Sequence, residues 1–315
     1  MRDLLAEDEP VLADVRLLVD GTPRADSGGD FALELAPGEH TLAVERAGYR
    51  SDLFALRFAG EPGARFQLVG APEAVFDLDG ERSADLLLVP DALDVRYLRS
   101  LLDGETTYRW PARVDLHIDR SPTRAGFTLS QQQADSLAAF VGRALEELTD
   151  GAARLGRVTT GTGLDWKDFL NAERPGAITL QVEDLAATWA GLRAVAWTIY
   201  RRDPDHRGTI RSANVIVDTH VVAVPLRDFS QIVGHELGHA LSLRHPLACR
   251  HWSRMDPALA TCEPRLTPDV APPGYWGRAD LAAGKILYTF LPGTSFARLP
   301  ETPPSVDAAR REPSR

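Results

Sequence analysis

No apolar run in the 315 residues approaches the roughly 20 that a membrane-spanning helix needs, which excludes a helical membrane anchor within this sequence. Basic charge is also scarce. Thirty-five Lys and Arg face 45 Asp and Glu, giving a net charge of −10 and a pI near 5.3. A nucleic-acid partner would favour a basic face, so that class is set aside. Cysteine and methionine number two each, Cys249 and Cys262, Met1 and Met255, and the cysteine spacing fits no C-x-x-C zinc pattern. The opening stretch MRDLLAEDEP has no apolar core of a secretory leader. Hydrophobic content of 44% and charged content of 25% are those of a globular protein, and the length leaves room for two domains.

Against this background one segment stands out: His235-Glu236-Leu237-Gly238-His239, followed by Ala240-Leu241-Ser242-Leu243-Arg244-His245. Positions i and i+4 lie one turn apart on one helix face, so His235 and His239 can offer two imidazoles to one ion. A catalytic zinc takes three protein ligands and keeps a fourth position for water. His245 can be the third ligand if the helix stops near Ser242 and the chain turns back; His251 is the alternative. Glu236 sits where its carboxylate can act as general base on water activated by the ion. HExxH arises by chance in a chain of this size about once in a hundred, and a histidine at one further fixed position is about fifty-fold rarer still.

These residues resemble the metzincin zinc endopeptidases, whose pattern is HExxHxxGxxH followed by a Met-turn. The resemblance implies one catalytic Zn2+ held by His235, His239 and His245, with Glu236 as the catalytic base. It also implies that Met255, in Ser253-Arg254-Met255-Asp256-Pro257, is the Met-turn methionine beneath the metal. One position departs from the pattern: the family's glycine is Ser242. That glycine lets the backbone turn, often with positive φ, which serine tolerates less well. Related enzymes support the Met-turn with an aspartate on the closing helix, which points to Asp280. They also align substrate along an edge strand, here Ala196–Tyr200 with Trp197 and Ile199, by strand addition. Tyr275 is a candidate to reach the metal or the oxyanion. Cys249 and Cys262 bracket Met255, either as a disulfide stiffening that loop or as free thiols. Neither precedes the histidines in this sequence, so latency through an N-terminal cysteine is not expected.

The organisation expected is α+β, with a metzincin-like catalytic domain over residues 110–292 preceded by a small all-β sandwich over 1–70. In the latter, Val15–Val19, Phe31–Leu35 and His40–Glu45 alternate apolar and polar residues between Gly and Pro turns. The phrase PGEHTLAVERAGYR resembles the PEGA and carboxypeptidase-regulatory-like modules attached to bacterial envelope proteins. Residues 71–109 read as a linker or prosegment-like connection, with a strand at Asp85–Val89 and a short helix over Asp91–Leu102. In the catalytic part, Val114–Ile118, Ala177–Val182, Ala194–Tyr200 and Ala213–Val217 read as strands. Ser130 and Gln133 form a capping box before a helix whose apolar face is Leu137, Phe140, Val141, Ala144, Leu145 and Leu148. Asp228 and Gln231 read as the corresponding pair for the HExxH helix. Asp280–Tyr288 reads as the closing helix, and 293–315 as a disordered tail. His206 and His220 read as surface or structural residues rather than ligands.

The reaction implied is hydrolysis of a peptide or protein substrate. Two other readings compete: a non-catalytic envelope binding protein on the same fold, and a zinc hydrolase of a non-protein amide. A retained Glu236 argues against the first, and only a substrate screen separates the second. Location follows the cysteines and the module: an exported protein whose leader is absent from this chain, with the cytoplasm as the alternative.

Overall fold

The computed structural model describes residues 2–6, 8–27, 36, 38–58, 66–70, 74–78, 84–163, 173–185, 195–220, 226–246, 253, 255 and 276–303. The chain forms two compact units, one of Met1–Arg99 with Tyr288–Arg315 and one of Ser100–Leu287. Among the described residues it is a mixed α+β protein with three sheets and four α-helices.

The first unit is built from eight strands: β1 (Arg2–Asp3), β2 (Val15–Val19), β3 (Thr22–Ser27), β4 (Gly38–Glu45), β5 (Tyr49–Phe58), β6 (Phe66–Val69), β7 (Ala74–Leu78) and β8 (Ala84–Pro90). They form two four-stranded sheets, ordered β1-β8-β5-β6 and β3-β2-β4-β7. Alternation explains why these segments bury one side: in β2, Val15, Leu17 and Val19 point inward and Arg16 and Leu18 are only partly covered. Leu42 and Val44 of the same sheet join Phe54, Leu68, Leu86 and Leu88 of the other in one apolar cluster. The segment Phe31–Leu35 lies outside the described residues.

Two sequence boundaries move. The module does not close at residue 70, because β7 pairs with β4 and β8 pairs with β1 and β5. Residues 74–78 and 84–90 thus complete both sheets, a non-local pairing that no local pattern announces. Nor does packing stop at residue 293. Phe296 and Leu299 are buried, and the Phe290 and Phe296 rings meet edge to face at 5.5 Å. Arg50 is fully buried, forked onto Asp52 with two 2.9 Å hydrogen bonds, and donates to the Pro300 carbonyl at 2.7 Å. Residues 304–315 lie outside the described residues.

A short helix, α1 (Val95–Leu101), runs into the second unit and is trimmed at both ends relative to the sequence expectation. The second unit holds β9 (Arg113–Asp119), α2 (Gln131–Leu148), β10 (Arg154–Gly161), β11 (Ala177–Glu183), β12 (Ala196–Arg202), β13 (Ile210–Asp218), α3 (Leu226–Ala240) and most of α4 (Arg278–Thr289). Its sheet is ordered β10-β9-β11-β13-β12, all neighbours parallel except β12 against β13. The anticipated capping box opens α2: Ser130 Oγ accepts the Gln133 amide at 3.2 Å, and Gln133 Oε1 accepts the Ser130 amide at 2.9 Å. Its six expected apolar residues are all buried. α3 begins at Leu226, so Asp228 lies inside its first turn rather than at its cap.

The two faces of this sheet differ. Val114, Leu116, Ile118, Ile178, Leu180, Val182, Ala213, Val215 and Val217 make one face apolar and buried. The same face carries Leu155 against Gly142 of α2 and Thr198 against Glu236 of α3. The opposite face presents His117, Thr179, Gln181, Ser212 and Asn214, also buried. β10 escaped the sequence pattern because four successive residues, Arg157 to Thr160, are exposed and leave no apolar alternation.

Candidate metal centre

The candidate site is built around the end of α3. His235 and His239 fall on one face of the helix, as their spacing requires, and Glu236 turns inward from the first of them. The helix then ends in a Schellman motif: the Ser242 amide donates to the His239 carbonyl at 2.9 Å and the Leu243 amide to the Gly238 carbonyl at 2.9 Å. The residue that must take the left-handed conformation is Ser242, at φ 69°. This is the position where the sequence departs from the glycine pattern. A left-handed L-residue costs about 1–2 kcal/mol, and the buried Ser242 hydroxyl offsets part of it by donating to the Tyr108 carbonyl at 2.7 Å. Serine therefore does the glycine's work with strain that a side-chain bond partly repays.

That geometry gives a prediction. Ser242→Gly removes the strain and the hydroxyl together, so its stability should stay within about 1 kcal/mol of the parent. Ser242→Ala keeps the strain and loses the bond, and should destabilise by about 1–2 kcal/mol. Urea unfolding of both variants checks the order; an alanine variant as stable as the glycine one would refute it.

Beyond the motif, the chain folds back. Leu243 bridges Leu102 antiparallel, and the Arg244 amide donates to the Leu101 carbonyl at 2.8 Å. This delivers His245 beside the helix. Its Nε2 lies 3.0 Å from His235 Nε2 and 3.0 Å from His239 Nε2. Among the described residues this is the group of histidine, cysteine and acidic side chains able to hold a metal ion.

The fit to an ion can be tested on the protons. His239 Nδ1 donates to the Leu243 carbonyl at 2.8 Å. A carbonyl only accepts, so the proton is on Nδ1 and Nε2 carries a lone pair. Burial pushes the His239 imidazole down to about 3, with the neighbouring His235 adding to the shift, so this ring is neutral as a ligand must be. One hydrogen on His245 Nε2 cannot make two linear bonds to two neighbouring nitrogens. All three nitrogens can face one shared cation. Metal–imidazole bonds of about 2.0–2.1 Å at tetrahedral angles put donor nitrogens roughly 3.3 Å apart, close to the 3.0 Å seen. The three histidines can hold a metal ion.

Glu236 is buried, and burial pushes its carboxyl up to about 7 against the hydrogen bond from Thr198 that lowers it. Thr198 Oγ1 lies 2.5 Å from Glu236 Oε2 and 3.1 Å from the Glu236 carbonyl. Sequence reading had singled out Trp197 and Ile199 on this strand. Alternation places both on the sheet face away from Glu236, with Trp197 40% exposed. Thr198 was missed because only the packing of β12 on α3 shows which parity faces the helix.

Met255 is fully buried beside α3. A Cβ built on Gly238 would fall 2.1 Å from its sulfur and 3.3 Å from Trp276, so glycine between the two histidines is what admits Met255. Ser253 Oγ accepts the Met255 amide at 3.0 Å and donates to Asp280 Oδ1 at 2.5 Å. Asp280, fully buried, also accepts the Gly277 amide at 3.0 Å, closing the first turn of α4. Tyr275, His251, Cys249 and Cys262 lie outside the described residues. His206 and His220 stand apart from the metal group, both exposed, paired through Nδ1 with Asp203 and Asp218 respectively.

No protein-family model matches the chain. No curated protein matches its sequence. Among solved structures it is similar to metalloproteinase-II from Bacteroides fragilis, at 11% identity over 67% of this chain and 68% of that one, with a TM-score of 0.27. Among the described residues no helix is long and apolar enough to cross a membrane. The fold and site define a mixed α+β protein with a three-histidine group able to hold a metal ion.

Proposed function

We propose that the protein is a zinc-dependent endopeptidase of metzincin type. The observation that carries this reading is the convergence of His235, His239 and His245 nitrogens next to a buried, inward-turned Glu236. A zinc ion held there supplies a Lewis acid that brings a water's pKa towards about 7 and polarises a carbonyl. The three histidines bind the ion as neutral donors, His239 being fixed in that tautomer by Leu243. Glu236 takes up the proton of the attacking water and returns it to the leaving amine. Thr198 holds Oε2 and leaves Oε1 for that exchange. Met255 serves as the Met-turn floor, held by Ser253 and Asp280.

Among the described residues β12 is the last strand of its sheet and antiparallel to β13, so its outer edge can pair with an extended peptide. The two N-terminal sheets form a β-sandwich accessory module of the regulatory type, and the protein works outside the cytoplasm. The test is metal-dependent cleavage. Protein stripped with a chelator should leave a mixed peptide library intact, and one equivalent of zinc should restore cutting, read as new termini by mass spectrometry. Zinc bound without any new termini would sink the peptidase reading.

A further inference from the structure

We propose that Asp103 is a positioning residue for the third metal ligand, an inference that rests on the metal-site reading above. Two of the ligands need no help, since one helix sets their spacing. His245 does: it is exposed, lies beyond the helix, and depends on residues 242–244 for its place. Those residues are gripped by a segment that sequence alone suggests is only a connection. Leu101 takes the Arg244 amide, Leu102 bridges Leu243, and Tyr108 takes the Ser242 hydroxyl. Trp110 Nε1 donates to the Ala240 carbonyl at 2.9 Å, satisfying one of the orphan acceptors at the helix end.

Asp103 is the charged centre of this grip. Its side chain is 7% exposed, and Arg244 Nη2 lies 2.5 Å from Oδ1 as an ion pair without hydrogen-bond alignment. Oδ2 accepts from the Tyr200 hydroxyl and from Arg202 Nη2 at 2.5 Å, both from the end of β12. The Arg202 guanidinium in turn sits 4.0 Å over the Tyr108 ring. One carboxylate therefore joins the residue before His245 to the edge strand whose Thr198 holds Glu236.

An ordinary ion-pair cluster is the competing explanation, and the two differ in what they predict. Arg202 and Arg244 are 50% and 62% exposed, so either pair alone adds little stability. Asp103 is the buried member, and removing its charge weakens its ties to three partners at once. Loss of a group that orients a metal ligand typically weakens metal affinity 10–100-fold.

The experiment uses the full chain, with Asp103→Asn and Arg244→Met. Zinc affinity is measured by chelator competition, and the visible spectrum of the cobalt-loaded protein reports ligand geometry. Expected are zinc binding at least about 10-fold weaker in Asp103→Asn, a smaller loss in Arg244→Met, and an altered cobalt spectrum in both. Arg244→Met keeps the Tyr200 and Arg202 bonds, so it reports on the tie to His245 if Asp103→Asn does not fold. Folded variants with the parent's zinc affinity and cobalt spectrum overturn the proposal while leaving the metal site standing. A parent that binds no zinc overturns the metal reading and this inference together.

Discussion

Glu236→Gln should lower peptide cleavage by at least about 10²–10⁴-fold while the protein still binds one zinc ion with the parent's affinity. The substitution preserves volume and leaves an amide oxygen for the Thr198 hydroxyl, which now reaches Oε2 at 2.5 Å. What disappears is the ability to take a proton from water. The three histidines that can hold a metal ion are untouched by the substitution, so zinc content should not change. An effect on kcat with little change in KM is expected, since the proton transfer belongs to the transition state. Equal cleavage by both proteins would mean that Glu236 is not the base, and loss of zinc from the variant would mean the carboxylate is part of the metal site.

The second large effect is on stability. Gly284→Ala in α4 should destabilise the protein by about 2–3 kcal/mol, against the helix-propensity rule that favours alanine by about 1 kcal/mol. A Cβ on Gly284 would lie 2.0 Å from the Leu148 carbonyl oxygen and 2.9 Å from two carbons of the Leu148 side chain. The obstacle at 2.0 Å is backbone at the end of α2, which cannot swing aside as a side-chain tip can, so α4 must move away. That separates helices whose neighbours are buried: Ile286 and Leu287 on α4, Ala144, Leu145 and Leu148 on α2. Overpacking wins over propensity because the clash is large and sets a Cβ fixed to one helix backbone against the main-chain carbonyl of another. A urea midpoint above the parent's would show that the helices are free to part.

The same comparison explains which parts of this protein could be read in advance. The start of α2 was legible because a capping box spans three residues, and its buried face because helical periodicity is local. β2, β8, β9, β11 and β13 were legible because their apolar residues signal burial within five to nine positions of chain. His235 and His239 belong to this group, as one helical turn decides their relation. The demand for a left-handed residue at position 242 was likewise visible, though only the structure showed serine meeting it at φ 69° with the Tyr108 carbonyl as partner.

Other features depend on groups far apart in the chain. Thr198 reaches Glu236 across 38 positions, Ser253 reaches Asp280 across 27, and Arg202 reaches Asp103 across 99. No periodicity encodes such meetings, because they arise from strand register and helix packing. The reach of the first module to residue 90, and the burial of Phe296 and Leu299, were hidden for the same reason: β7 and β8 gain their places only from strands already laid down. Sequence by itself determined that His235 and His239 share one helix face with Glu236 between them. Tertiary structure decided where His245 goes, which strand residue faces Glu236 and which glycines leave no room for a Cβ, since each is fixed by contact between segments that the chain keeps apart.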